Sequence, residues 1–222
     1  MANFLDKVQP KNKAQLKSLI DHAFKHNIYD LNFIDTSKIT NMSNLFMNCE
    51  YDIDVSNWDV SNVTTTFCMF VGCKKFNSDL SNWDVSNVKN MNNMFYCCKN
   101  FDCDLSNWNV SNVTDMYSMF TACENFKGKG LDNWDVSKAE DMRFMFYNCK
   151  NFNCDLSNWD MSKALRINEM FYGCKNFEGK GLENWKLEKT LFYYDIFTGC
   201  DKVKLPSWYK AFLKRCNLEF FK

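Results

Sequence analysis

The chain has 222 residues, a net charge of zero at neutral pH and an aromatic content of 17%. The aromatic content excludes a disordered chain, and the charge balance removes the bulk basicity on which most nucleic-acid and anionic-membrane binding depends. No stretch approaches 18 uncharged apolar residues, and the polar N-terminal segment has no apolar run of signal-peptide length. We therefore expect no nucleic-acid partner, no membrane span and a cytoplasmic protein.

Residues 1–30 are expected to form an N-terminal cap. Apolar residues such as Leu16 and Ile20 recur at helical spacing between Pro10 and His26, which predicts an amphipathic helix. His22 and His26 have the spacing of a two-histidine metal half-site, but no third ligand is evident. We interpret this pair as part of a solvated helix face.

Residues 31–203 are expected to form about seven tandem repeats of about 25 residues, all within one continuous domain. Each unit is too short to bury its own apolar side, so the repeats must stack. The first recurrent column is Asn57, Asn82, Asn107, Asn133, Asn158 and Asn184, which we interpret as satisfying backbone groups in turns. The second column is Trp58, Trp83, Trp108, Trp134, Trp159 and Trp185. The third column is Cys49, Cys73, Cys98, Cys123, Cys149, Cys174 and Cys200, each three residues after a Phe.

Two periodicities alternate within one unit. Trp83 and Val85 flank a polar residue, which predicts a short strand, and the apolar residues of 88–95 have the spacing of a short helix. Ser86 lies just before that run, where its hydroxyl could cap the helix. The sequence thus predicts an α/β repeat forming a right-handed solenoid with short parallel strands and short helices.

Residues 204–222 are expected to form a C-terminal cap, with a closing helix after Pro206. Phe220 and Phe221 could cover the last repeat or contact another molecule. Contact with another molecule would fit an alternative function, that of a structural or self-assembling spacer.

The run Asn-Trp-Asp-Val-Ser-Asn-Val, followed by Met-Phe-x-x-Cys-x-x-Phe, resembles the BspA-like leucine-rich-repeat family. Within that family the similarity is to the repeat of Mycoplasma-type lipoproteins and bacterial surface proteins, over about residues 31–203. The resemblance implies a leucine-rich-repeat solenoid that acts in adhesion or protein binding, and it implies no catalytic site. It also makes the cell surface the alternative location.

Twelve cysteines would ordinarily suggest zinc or redox chemistry. Column cysteines of neighbouring repeats would lie about 5 Å apart, so disulfides are geometrically possible. Each one, however, follows a buried-type Phe, where a compact apolar group packs well. We interpret the column as buried free thiols and expect no cofactor.

No motif singles out an active site. The serines recur with the repeat, the two histidines lie outside it, and there is no Gly-rich phosphate loop. We therefore expect a non-enzymatic protein.

The zero net charge conceals two stripes of opposite sign. Asp59, Asp84, Asp135 and Asp160 follow their tryptophans and form a candidate acidic binding face, whereas lysines follow most column cysteines. The acidic face could bind a basic protein partner or a cation such as calcium. Alternatively, each Asp serves only its own turn. The preferred hypothesis is a protein-interaction module, and self-association is a further possibility.

Overall fold

The structure is a computed structural model that describes residues 7–191 and 193–215. Phe220 and Phe221 lie outside these residues. Within the described ranges there are two α-helices, α1, Lys13–Lys25, and α2, Ser207–Arg215. The side chain of Asn12 caps α1 by accepting a hydrogen bond from the Gln15 amide over 3.0 Å.

The predicted α/β solenoid is wrong. Between α1 and α2, the described residues contain no α-helix and no strand in a sheet. They contain two 3-10 helices, Leu131–Asn133 and Leu182–Asn184, and isolated parallel bridges. One series of bridges joins the same position of successive repeats, namely Asn41, Thr65, Asn90, Asp115, Asp141 and Arg166.

Left-handed residues prevent the predicted short helices. In the unit that contains residues 88–95, Asn93 has φ 55° and Cys97 has φ 62°. A left-handed residue every fourth position cannot belong to a right-handed helix, so the segment is a series of turns. The same two positions in the seven repeats are Asn44, Asn48, Cys68, Gly72, Asn93, Cys97, Ser118, Ala122, Phe144, Asn148, Glu169, Gly173, Asp195 and Gly199.

These turn segments are hydrogen-bonded to one another. The Asn93 amide donates to the Tyr117 carbonyl over 2.8 Å, and the Phe95 amide donates to the Met119 carbonyl over 2.9 Å. The Cys97 amide likewise bonds the next repeat over 2.7 Å. The pattern recurs between each pair of successive turn segments, so the repeats stack in one fixed register.

The predicted strand around Trp83 is absent because its backbone amides are used within the repeat. The Trp83 amide donates to the Leu80 carbonyl over 3.1 Å, and the Val88 amide donates to the Val85 carbonyl over 2.9 Å. Neighbouring repeats are joined here by side chains instead. The Trp83 Nε1 donates to the Val55 carbonyl of the preceding repeat over 3.1 Å.

Aromatic columns fill the interior. Phe70, Phe95 and Phe120 are fully buried, and their successive ring centroids lie 5.6 and 5.7 Å apart with nearly parallel planes. Phe101 packs beside Phe95 at 4.0 Å. Offset stacking in such a column adds to the gain from removing the apolar area from water.

Candidate binding surface

The carboxylates of the candidate acidic face hold local turns. Oδ1 of Asp59 and of Asp84 each accepts the amide of the Ser two residues later over 3.0 Å. Asp135 and Asp160 make the same contact over 3.0 and 2.9 Å, and Asn109 makes it over 3.1 Å. This geometry explains why only Asp or Asn stands at these positions of the first five Trp-containing repeats.

These hydrogen bonds favour the ionised carboxylate. The hydroxyl and amide of Ser86 lower the pKa of Asp84, and Ser137 has the same effect on the pKa of Asp135. The nearby charge of Asp160 raises the pKa of Asp135, but this is the smallest contribution. Repulsion along the column is therefore outweighed by the turn hydrogen bonds.

A second column of acidic residues lies five positions before the first, and two of its carboxylates are paired with lysines. Asp104 pairs with Lys129 of the following repeat at 2.7 Å, and Asp155 pairs with Lys180 at 2.6 Å. In contrast, Asp59, Asp84, Asp135 and Asp160 are exposed and form no ion pair among the described residues. Asp54 and Asp79 of the second column are likewise exposed and form no ion pair among the described residues, so negative charge remains available along the first column and at these two positions of the second.

An open groove lies at the N-terminal end of the acidic face. It has a volume of about 690 Å³, and Asp59, Asp84, Asn57, Trp58 and Lys7 are among its lining residues. The groove combines the carboxylates of Asp59 and Asp84 and the amide of Asn57 with the ammonium group of Lys7, and the lining residue Trp58 is only 3% exposed. The carboxylate and amide oxygens can accept hydrogen bonds from a cationic side chain.

The lysine stripe on the other side is interrupted by one acid. Glu124 lies between Lys99 and Lys150 of the neighbouring repeats, at 2.9 and 2.6 Å. The two ion pairs reduce repulsion along the stripe. They are solvent-exposed, so their contribution to stability is small.

The asparagine and tryptophan columns join successive repeats. Asn107 Nδ2 donates to the Ser81 carbonyl, and Asn158 Nδ2 donates to the Asp132 carbonyl, both over 3.2 Å. Every column Trp is buried and donates Nε1 to a carbonyl of the preceding repeat; the donors are Trp58, Trp83, Trp108, Trp134, Trp159 and Trp185. The tryptophan column therefore joins successive repeats, as Asn107 and Asn158 do in the asparagine column, while Asn57 and Trp58 also line the groove.

Trp208 extends the tryptophan column, and sequence reasoning missed it. It lies in α2, stacks on Trp185 at 6.3 Å and donates Nε1 to the Leu182 carbonyl over 2.8 Å. Its position 23 residues after Trp185, close to the repeat length, was the available signal. Thus α2 supplies the next indole of the stack.

The column thiols lie inside the stack. Cys73, Cys98, Cys123, Cys149 and Cys174 are fully buried, and each donates its thiol to the carbonyl of the column Phe in the preceding repeat. Cys200 makes the same contact, although it is only half-buried. Cys49 belongs to the first repeat, and its thiol has no such partner among the described residues. Burial raises the pKa of Cys200 to about 12 and raises the pKa of Cys123 as well. All these thiols are free.

The cysteines outside the column that the structure describes have individual local roles. Cys68 and Cys97 occupy left-handed positions, and Cys103 donates its thiol to the Ser78 carbonyl over 2.9 Å. Burial raises the pKa of both Cys103 and Cys154 to about 12, so neither is an activated nucleophile.

Residues 7–191 and 193–215 contain no group of three or more His, Cys, Asp or Glu side chains arranged to hold a metal ion. The rings of His22 and His26 lie 4.3 Å apart, tilted by 39°, on the exposed side of α1. In the same residues, no helix is both long and apolar enough to cross a membrane.

The fold thus defines a class of protein made of stacked, turn-rich repeats with a distinct α-helix in each terminal segment. The chain matches the family model described as "Mycoplasma protein of unknown function, DUF285" over residues 14–130 and 98–210, and it belongs to that family. The resemblance to the BspA-like leucine-rich-repeat family is corrected by this match, and the missing strands and helices agree with the correction. No curated protein matches the chain, and no solved structure does.

Proposed function

We propose that this protein is a non-enzymatic binding module whose acidic face takes a basic segment of a protein partner. The observation that carries the proposal is that none of the four carboxylates of this face forms an ion pair among the described residues. Asp104 and Asp155 are paired with lysines of the chain, whereas Asp59, Asp84, Asp135 and Asp160 form no ion pair among the described residues.

The geometry of the face supports this role. Each Asp uses Oδ1 in its own turn, and the backbone around it is fixed by the stacked repeats. Preorganised carboxylates lose little conformational entropy when a cation binds. The groove beside Asp59 and Asp84 offers a place for the first basic side chain of such a segment.

A reducing compartment such as the cytoplasm would keep the column thiols of this protein free. The thiols of successive repeats are neighbours in one column and none forms a disulfide among the described residues. We propose the cytoplasm as the location on this ground.

The test uses a fluorescent peptide of alternating Lys and Ser, titrated at low salt with the full chain. The variant carries Asp59→Asn, Asp84→Asn, Asp135→Asn and Asp160→Asn. Asn109 already holds the same turn with an amide oxygen, so these substitutions remove charge and keep the fold. The variant should bind at least about tenfold more weakly, because complementary charge is lost at four points.

The matched control removes four exposed carboxylates elsewhere, through Glu50→Gln, Asp52→Asn, Glu140→Gln and Asp201→Asn. It has the same net charge as the variant and should retain most of the affinity. Equal weakening in both proteins would show a general charge effect and contradict the proposed face.

A further inference from the structure

The acidic face has a counterpart of opposite charge on the same chain. Fifteen positions after each of its four carboxylates, and directly after a column cysteine, stands a lysine. We call these residues the lysine stripe; all are exposed, and they are Lys74, Lys99, Lys150 and Lys175. None of them pairs with a carboxylate of the acidic face among the described residues, so the face and the stripe are separate surfaces.

The acidic face and the lysine stripe match repeat by repeat. From the second repeat to the sixth, the column of the acidic face carries Asp, Asp, Asn, Asp and Asp, and the stripe carries Lys, Lys, Glu, Lys and Lys. The single neutral residue of the face, Asn109, therefore belongs to the same repeat as the single acid of the stripe, Glu124. The turn hydrogen bond explains why Asp or Asn stands in the face, but it does not explain this coincidence.

The charges of both surfaces are accessible to a partner. Asn109 is exposed and uses Oδ1 in its turn, while its Nδ2 donates to no acceptor among the described residues. The Glu124 side chain is 31% exposed although it pairs with two lysines of the stripe. Lys138 and Lys163 flank the acidic face in two repeats, but the structure described here gives neither an ion pair, and Lys138 donates to the Asn112 amide oxygen over 2.8 Å.

We propose that the basic partner of the acidic face is the lysine stripe of a second copy of this chain, an inference that rests on the proposed function. Both columns follow the same repeats, so each carboxylate can meet a lysine when the fourth repeats of two copies lie opposite each other. Asn109 then faces Glu124, whose carboxylate accepts hydrogen bonds from the Asn109 amide group. The five-repeat pattern is symmetric about its centre, so the same pairs form between stacks that run in either direction.

The charges also select the register of the two copies. A shift by one repeat would place an Asp of the acidic face opposite Glu124. The end repeats do not alter this preference, because they add one attractive and one repulsive contact in either direction. Lys186 and Asp35 each meet an acidic residue, either Asp201 or Glu50. Because the two contacting surfaces differ, every copy keeps one of each for the next, and association continues into rings or open assemblies.

The test is sedimentation velocity of the full chain at low salt over a range of concentrations. The mean sedimentation coefficient of wild type should rise with concentration, and high salt should return it to the monomer value, because the contacts are exposed ion pairs. Asn109→Asp keeps the turn, as Asp84 does one repeat earlier, but sets a carboxylate opposite Glu124 and should weaken association about fivefold. The matched control is Asn44→Asp, which adds the same charge outside both surfaces, where Asp195 stands in the last repeat, and should change nothing.

A charge reversal tests the contact between fourth repeats directly. Asn109→Asp combined with Glu124→Lys should restore association to at least the wild-type level, because this repeat then carries the Asp and Lys of its neighbours. Wild type has a net charge of zero, so the single variant has −1 and the double variant +1. General repulsion is therefore equal in the two. Asn109→Asp with Glu124→Gln should fall between them, and circular dichroism with thermal unfolding checks that all variants are folded.

The peptide titration separates this inference from the proposed function. Asn109→Asp adds a carboxylate to the acidic face, so it should bind the Lys-Ser peptide more tightly while it self-associates more weakly. A monomer at all concentrations, association insensitive to Asn109→Asp, or a charge-reversed double variant no stronger than the single one would each overturn the inference and leave the peptide result standing. Peptide binding that ignores every substitution in the acidic face would instead overturn the proposed function.

Discussion

The Cys123 thiol donates a hydrogen bond over 3.0 Å to the Phe95 carbonyl, which also accepts the Cys98 amide over 2.9 Å. Both lone pairs of this buried oxygen are therefore used, one within the repeat and one between repeats. The same pairing of a column thiol with the preceding Phe carbonyl occurs along the stack, so it explains why a cysteine recurs at this position.

Replacing Cys123 should distinguish a hydrogen-bonding role from mere packing. Cys123→Ala removes the donor and leaves a small void, so we expect the free energy of unfolding to fall by about 1–2 kcal/mol. Cys123→Ser retains a donor facing the Phe95 carbonyl and should cost less than the alanine. Urea unfolding of the three proteins provides the measurement, and a serine that costs more than alanine would refute the donor role.

The tryptophan column should be most sensitive in the middle of the stack. Trp108 is stacked between Trp83 and Trp134 at 6.5 and 6.3 Å and donates Nε1 to the Leu80 carbonyl. Trp108→Phe should lower the free energy of unfolding by about 2–4 kcal/mol through the lost hydrogen bond and buried area.

Trp208 is the control for this prediction because it makes the same hydrogen bond but stacks on an indole on one side, that of Trp185. Trp208→Phe should cost measurably less than Trp108→Phe. Equal costs, measured by chemical denaturation, would show that the position in the stack does not matter.

Gly130 is required by close contact as well as by its conformation. It has φ 89°, and a Cβ at this position would lie 2.2 Å from the Ser106 amide nitrogen. Gly199 has φ 75°, but a Cβ there would meet its nearest atom at 3.3 Å. Gly199→Ala should cost about 1 kcal/mol, mainly from backbone strain. Gly130→Ala adds a backbone clash and should lower the thermal midpoint further; a smaller effect than that of Gly199→Ala would contradict this packing.

Acid should weaken the links between repeats. Lys129 and Ser106 lower the pKa of Asp104 to about 2, and Lys180 and Ser157 do the same for Asp155. A carboxyl whose pKa is lower in the folded state stabilises the fold above its unfolded pKa of about 3.9. That contribution is lost as the pH falls from about 4 towards 2.

The matched pair for this prediction is Lys129→Met and Lys202→Met. Lys129 faces a carboxylate, whereas Lys202 donates to the Asn176 amide oxygen. Urea unfolding between pH 5 and pH 2.5 should show a weaker pH dependence for Lys129→Met than for wild type, and an unchanged one for Lys202→Met. High salt should reduce the difference.

The residues that recur in the sequence are sufficient to predict the columns, but they do not predict the backbone conformation between the columns. A residue that points inward in every repeat leaves a periodic signal, as Trp83 and Cys98 do. The turn conformation leaves a weaker signal, because Asn and Gly favour left-handed backbone but do not occupy every such position. Asn93 and Gly173 follow the rule, whereas Phe144 and Glu169 do not.

Hydrogen bonds between repeats explain these exceptions. Phe144 has φ 57°, and its amide donates to the Asn168 carbonyl over 3.0 Å. Glu169 has φ 53° and bonds Tyr194 in the same way over 3.2 Å. The stack thus imposes a conformation that the local sequence disfavours. Apolar spacing over 88–95 fits a helix and this series of turns equally well, so the periodicity favoured the wrong element.

The sequence shows the acidic face as a column of Asp, but it does not show which acidic side chains lack an ion pair with lysine. Which carboxylates remain without a lysine depends on pairs such as Asp104–Lys129 and Asp155–Lys180, and each of these pairs joins residues 25 positions apart. Only the register of the stacked repeats brings these residues together.

The most direct measurement of the central claim is a nitrogen-15 NMR titration of the full chain with the Lys-Ser peptide. The amides of Ser61, Ser86, Ser137 and Ser162 donate to the four carboxylates of the acidic face and report on their environment. If the acidic face binds the peptide, these amide signals should shift together, with those of Ser61 and Ser86 beside the groove shifting most. Shifts confined to other faces of the stack, or no shifts at low salt, would contradict it.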